Sequence, residues 1–169
     1  MVFLREKVIN TPIDKAWAIL GHDFAHPFKW ASAVKHSTEL GKPIQSTQCD
    51  ERACKTVMGN IKEKLSYYSD EDYHLSYIVI EGMPGMVQKA TNDWNLTKLN
   101  ESQTLLRITM EFALQGWIGS LMKPMMKFKL NLMANDLIED FAYYAENGIP
   151  HPRKLKAIKN YLPVKDSHK

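Results

Sequence analysis

Residues 116–148, GWIGSLMKPMMKFKLNLMANDLIEDFAYYAENG, decide the fold. Ile118, Met122, Met126, Leu130, Met133, Leu137, Phe141 and Tyr144 recur at steps of three or four, which predicts one long helix with a broad apolar stripe. Lys127, Asn131, Asn135, Glu139 and Glu146 make the opposite face wetter. Lysines come early in this helix and acids late, the reverse of what the macrodipole favours, so burial must stabilise it. Gly148, followed by Pro150 and Pro152, is a stop signal. A helix of this length needs a large apolar surface to lie on.

The chain before it supplies strands. Residues 2–9 form a first one, and Asn10 or Thr11 caps a short helix with Pro12 in its first turn and Ile13, Ala16, Trp17 and Leu20 on its buried side. HDFAHPFKWAS then reads as a bend with a second short helix. From Val34 the pattern changes to period two. Segments 34–40, 52–58, 60–68, 73–81, 86–99 and 103–114 read as strands joined by GKP, MGN, SDED, GMPG and LNES turns. In the last, Leu106, Ile108, Met110, Phe112 and Leu114 face one way. The expected fold class is α+β: a curved seven-stranded antiparallel sheet wrapped around a long C-terminal helix, with two short helices between the first two strands. Residues 1–148 form the domain and 149–169 a basic extension packed on it or extending from it, with Leu155, Ile158 and Leu162 on one side.

The 169 residues, 44% hydrophobic and 24% charged, suit one ordinary globular domain. The net charge of +3 hides an asymmetry. Of 22 Lys and Arg and 19 Asp and Glu, the tail from Ile149 holds six and one, leaving a slightly acidic body with 16 and 18. This argues against a nucleic-acid partner. The basic tail permits at most transient contact with a membrane surface, and the expected assembly is a monomer or homodimer. Cys49 and Cys54 are too few for a disulfide framework. Arg5, Glu6 and Lys7 stand where a signal peptide would be apolar, so a cytoplasmic protein is expected. No GxSxG, Walker or GxGxxG motif and no CxxC occurs, so no cofactor is expected. His22 and His26 have a helical metal-ligand spacing, but Gly21 and Pro27 argue against a helix there, so no metal site is assigned.

Several strings in order resemble the helix-grip superfamily, which includes START lipid-transfer domains, polyketide cyclases and dehydratases, birch-pollen-type allergens and abscisic-acid receptors. They are PIDKAW (12–17), Asp23-Phe24 with Trp30, Arg52-Ala53-Cys54, GNIKEKL (59–65) leading to Tyr68, Leu75-Ser76-Tyr77, and Trp117-Ile118-Gly119 with Pro124. The resemblance covers roughly residues 1–147 and implies an apolar cavity between sheet and helix that binds lipids, sterols, hormones or polyketides. The receptors' mobile gate is reduced here to the tight Met58-Gly59-Asn60 turn, which argues against gating of that kind.

Strand alternation sets Ile61, Glu63, Leu65 and Tyr67 on the inward face, so Glu63 is a carboxylate among apolar neighbours. Family members often carry Glu here, and in the enzyme that makes the onion lachrymatory factor a matching Glu and an Arg act on the substrate. Glu63 is the candidate general acid or base and Arg52 the group to hold an oxyanion. The alternative is a structural ion pair of Glu63 with Arg52 or Lys35. Lys35 roughly matches the position from which abscisic-acid receptors reach the hormone's carboxylate. Tyr67, Tyr77, Trp94, Met110 and Trp117 would line the cavity, with Met122 and Met126 reaching a ligand from the helix; core filling is the alternative. The GMPG turn at 82–85 is either a portal loop or a plain hairpin. The leading expectation is a carrier or sensor of a hydrophobic small molecule such as a lipid, isoprenoid or polyketide. A cyclase, dehydratase or isomerase comes second, and a chaperone co-factor or protein-interaction module third.

Overall fold

The computed structural model of the protein describes residues 1–161. Seven strands form one antiparallel sheet: β1 Val2–Ile9, β2 Val34–Leu40, β3 Glu51–Thr56, β4 Gly59–Ser69, β5 His74–Glu81, β6 Val87–Lys98 and β7 Thr104–Leu114. Their order is β1-β7-β6-β5-β4-β3-β2, a meander whose first strand returns to pair with the last. Between β1 and β2 lie a short helix α1 (Ile13–Trp17), a wide turn over Ala18–His22 and a 3-10 turn at Pro27–Lys29. Helix α2, Gly116–Asn147, lies along the inner face, and α3, Pro152–Tyr161, follows it. Leu162 lies outside the described residues.

Alternation explains the sheet. In β7 Leu106, Ile108, Met110 and Phe112 are buried, while Arg107 is exposed. On β6 the inward set is Val87, Ala90, Asn92, Trp94 and Leu96. Trp94 packs edge-on against Trp30 and at a tilt against Phe141 of α2, with ring centroids 6.0 and 5.6 Å away, which clamps helix to sheet. Helix α1 begins after Pro12 without a side-chain cap, so neither Asn10 nor Thr11 plays the capping role expected of it. Instead the Asn10 backbone N–H donates to Glu146 at the far end of α2, and the Thr11 carbonyl accepts from Thr104.

The wetter face of α2 has a partner. Arg5 of β1 donates to Asn131 and Asn135, and Lys7 meets Glu139 at 2.7 Å. This polar row ties the helix to the edge strand. Gly148 ends α2 at φ 70° with its N–H on Tyr144 O, the left-handed cap that glycine takes without steric cost. Among the described residues no helix is long and apolar enough to cross a membrane.

Asp140, one of the buried residues of α2, joins three elements. It accepts from the Ser32 N–H at 2.7 Å and from Arg153 Nε at 3.2 Å. Beside Arg153, Lys154 is buried and donates to Val34 O. Burial pushes the Lys154 ammonium pKa down, opposed by the Asp140 charge.

Candidate functional site

A cavity of about 170 Å³ lies between the inner sheet face and α2. Apolar side chains make most of its wall: Val79, Ala90, Met110 and Phe112 from the sheet, Leu130 and Met133 from the helix. Its open end is framed by Val57 and Met58 of the β3–β4 turn, by Met83 and Pro84 of the β5–β6 loop, and by Met126. Gly82 is required there. Its φ is 86°, and a Cβ would sit 2.0 Å from the Asn60 carbonyl oxygen, so the loop closes tightly over the β4 backbone.

The polar residues of the wall converge from β3, β4, β5 and β6. Arg52 and Glu63 are cross-strand partners, both buried, with Arg52 Nε donating to Glu63 Oε2 at 2.6 Å. Arg52 Nη1 also donates to Phe24 O at 2.6 Å. The guanidinium carbon lies 4.1 Å from the Phe24 ring centroid and 4.6 Å from that of Tyr77, a cation held between two π faces. Burial opposes the Arg52 charge, but Glu63, with Tyr77 and Cys54 adding to it, outweighs burial and pushes the pKa up. Arg52 therefore stays charged.

Cys54 Sγ contacts the same Glu63 oxygen at 3.5 Å. Its thiol is pushed up to about 12, chiefly by burial, against the pull of Arg52 and with the Glu63 charge adding to the rise. It is a protonated donor. Burial first, and Glu63 second, likewise raise the Tyr77 phenol. Asn92, paired across the strands with Tyr77, lines the cavity and is buried, and its Oδ1 has no hydrogen-bond partner among the described residues. A buried acceptor left unmatched is costly unless something else supplies the donor.

The residues singled out in the sequence thus divide. Arg52, Glu63, Tyr77, Met110 and Met126 line the cavity. Tyr67 does not: an extra residue in β4 between Leu65 and Tyr67 shifts the register against β5, so Tyr68 turns inward and Tyr67 stays 45% exposed on Asp72. Lys35 sits at a similar irregularity in β2, between Val34 and His36, and is exposed outside the cavity wall. Trp94 belongs to the aromatic packing beneath the cavity rather than to its wall. Trp117 is 77% exposed at the start of α2, and Met122 lies outside the wall, because in these turns Gly119 and Met126 face inward, Gly119 against Leu114 and Met126 in the wall. Asn92 was missed in the sequence. Its signal, a polar residue in an otherwise apolar alternating row, is the one that singles out Glu63.

A curved antiparallel sheet gripping one helix, with a polar cluster inside a largely apolar cavity, defines a helix-grip domain. The chain belongs to the family described as polyketide cyclase/dehydrase and lipid transport, which it matches over residues 2–146. No curated protein matches the sequence. Among solved structures it is similar to the Zhui aromatase/cyclase of a Streptomyces species, with a TM-score of 0.74 at 14% identity, covering 86% of this chain and 93% of that one. A START superfamily protein from Mycobacterium smegmatis gives 0.66 at 12%, with 88% and 96% covered. A norcoclaurine synthase point mutant from Thalictrum flavum, in complex with a transition-state analogue, gives 0.65 at 13%, with 86% and 93% covered. At these identities the likeness is one of fold.

Proposed function

We propose that the protein binds a compact hydrophobic small molecule bearing a hydrogen-bond donor, as a carrier or sensor, with the apolar body between sheet and α2 and the donor directed at Asn92. The observation that carries this reading is the Asn92 Oδ1, without a partner among the described residues, in the polar cluster of a largely apolar cavity. A ligand hydroxyl would match it and remove the cost of leaving it bare. The volume of about 170 Å³ is below the ~300–1,000 Å³ of typical ligand pockets, so a sterol-sized guest requires Met126 or the 82–84 loop to give way. Methionine is the side chain best able to do so.

A second reading, a cyclase, dehydratase or isomerase, is favoured by one feature: the Glu63 carboxylate lines the cavity beside Arg52. In that reading Glu63 moves a proton and Arg52 holds the developing oxyanion. Against it stands the 2.6 Å bond that commits Glu63 Oε2 to Arg52, the geometry of a structural pair.

The test is to purify wild type, a cavity-blocked Ala90→Phe variant and Asn92→Leu from the native host, confirm folding by circular dichroism, and analyse solvent extracts by mass spectrometry. A compound enriched with wild type and depleted in both variants supports the binding reading. Recovering it unchanged after incubation with fresh protein supports carriage, and conversion supports catalysis. Equal recovery from wild type and Ala90→Phe would contradict the cavity reading.

A further inference from the structure

The first four turns of α2 carry an apolar face that no other part of the described chain covers. Ile118, Leu121, Met125, Phe128 and Leu132 follow one another at steps of three, four, three and four, which places them in a single row, with Trp117 beside its start. All six are exposed, Trp117 by 77%, Leu121 by 73% and Phe128 by 66%. The sheet-facing side of the same helix is also apolar, with Leu130, Ala134, Ile138 and Phe141 buried. Such a helix is apolar on two faces, and only one of them is used by the fold. A contiguous row of large apolar side chains in water marks an interaction surface.

Charge identifies the occupant. Lys123, Lys127 and Lys129 lie exposed on these turns, and from residue 112 to residue 135 the chain contains no Asp or Glu. A second copy laid against this row would bring the same lysines and no carboxylate to meet them. An anionic bilayer supplies both things the surface lacks: acyl chains for Trp117, Leu121 and Phe128, and headgroup charges for the lysines. The helix is too polar to span, so it would lie in the plane of the interface. Its start is held beside the open end of the cavity, because Gln115 donates to Met86 O at 2.9 Å and to Gly85 O at 2.9 Å.

We propose that the exposed face of the N-terminal half of α2 is a docking surface for anionic lipid membranes. The inference does not depend on what the cavity binds. Trp117 reports on it directly, since Trp17, Trp30 and Trp94 are buried at 2%, 5% and 1% exposure and will not sense a vesicle.

The experiment mixes the full chain with vesicles of phosphatidylcholine alone or with about 30% phosphatidylserine, and reads sedimentation together with Trp emission. The expected result is a blue shift and co-sedimentation with the anionic vesicles. Partition should fall about tenfold or more in Leu121→Gln/Phe128→Gln, in Lys123→Gln/Lys127→Gln/Lys129→Gln, and in wild type at about 0.5 M salt. Urea midpoints should be unchanged, because every substituted side chain is exposed. No partition to either vesicle, or equal partition of wild type and Leu121→Gln/Phe128→Gln, overturns the proposal. A dimer at sedimentation equilibrium that Leu121→Gln/Phe128→Gln abolishes, without vesicle binding, also overturns it and assigns the face to a second copy.

Discussion

Removing either half of the Arg52–Glu63 pair leaves a buried charge behind, and the two halves should fail differently. Both side chains are under a tenth exposed and meet at 2.6 Å. Two unit charges about 4 Å apart attract by ~4 kcal/mol at an effective dielectric of ~20, and removing one partner of a buried pair costs ~3–5 kcal/mol. In Glu63→Gln, Arg52 keeps its bond to Phe24 O and its place between two rings, and the new amide oxygen can still accept from Nε. The expected loss is therefore smaller, about 2 kcal/mol.

In Arg52→Met the orphan is a carboxylate, which escapes by binding a proton. Burial then raises its pKa above the unfolded value of ~4.3. A group raised in this way favours folding most below its unfolded pKa and loses that contribution as pH rises through the folded one. The deficit of Arg52→Met against wild type should accordingly be about 3 kcal/mol at pH 7 and shrink toward pH ~4. The double variant Arg52→Met/Glu63→Leu removes both charges and should recover most of the loss. Urea unfolding of wild type, Arg52→Met, Glu63→Leu and the double variant completes the cycle, and the expected coupling is about 2–4 kcal/mol. Single losses that add to the double within ~0.5 kcal/mol would refute the claim that the pair acts as a unit.

Asp140→Ala should cost about 3 kcal/mol or more by leaving the Ser32 N–H and the buried Lys154 charge without their carboxylate, and urea unfolding measures it. Asp70 is held below the usual carboxylate range: burial opposes its charge, but donors on Ser46, Trp17 and Tyr68 outweigh it. A depressed carboxylate contributes stability above the unfolded pKa of ~3.9 and loses it as pH falls through the folded value. Asp70→Asn should thus lower the urea midpoint at neutral pH, with the gap closing in acid. Burial raises the thiol pKa of Cys49 and Cys54, so neither should react with a thiol reagent at pH 8 in the folded protein and both should in urea, read by absorbance.

The sheet was legible because hydrophobic alternation and burial obey one rule: the inward row of β7 from Leu106 to Phe112 is the row the period-two pattern picks out. The same rule placed Glu63 inward. It failed at Tyr67 because a single extra residue reverses every side chain after it, and composition carries no mark of that insertion. Trp117 and Met122 were misplaced for another reason. The stripe from Met126 to Phe141 does turn inward, but the first turns of α2 are apolar on more than one side, and there the sequence pattern does not separate the inner face from the outer. Asp140 looked like one more late acid on α2. Its partners Ser32 and Arg153 lie on other elements, and only the closed fold brings them to it.

The central claim is that the cavity is where the ligand goes, and the methionines can report it. With ¹³C-labelled methionine methyls, titration with naphthol, a two-ring body with one donor, should shift the Met110 and Met126 signals, which line the wall, and leave Met1 and Met122 in place. Shifts confined to Met122 and Met125 would put the ligand on the outer face of α2 and contradict the account.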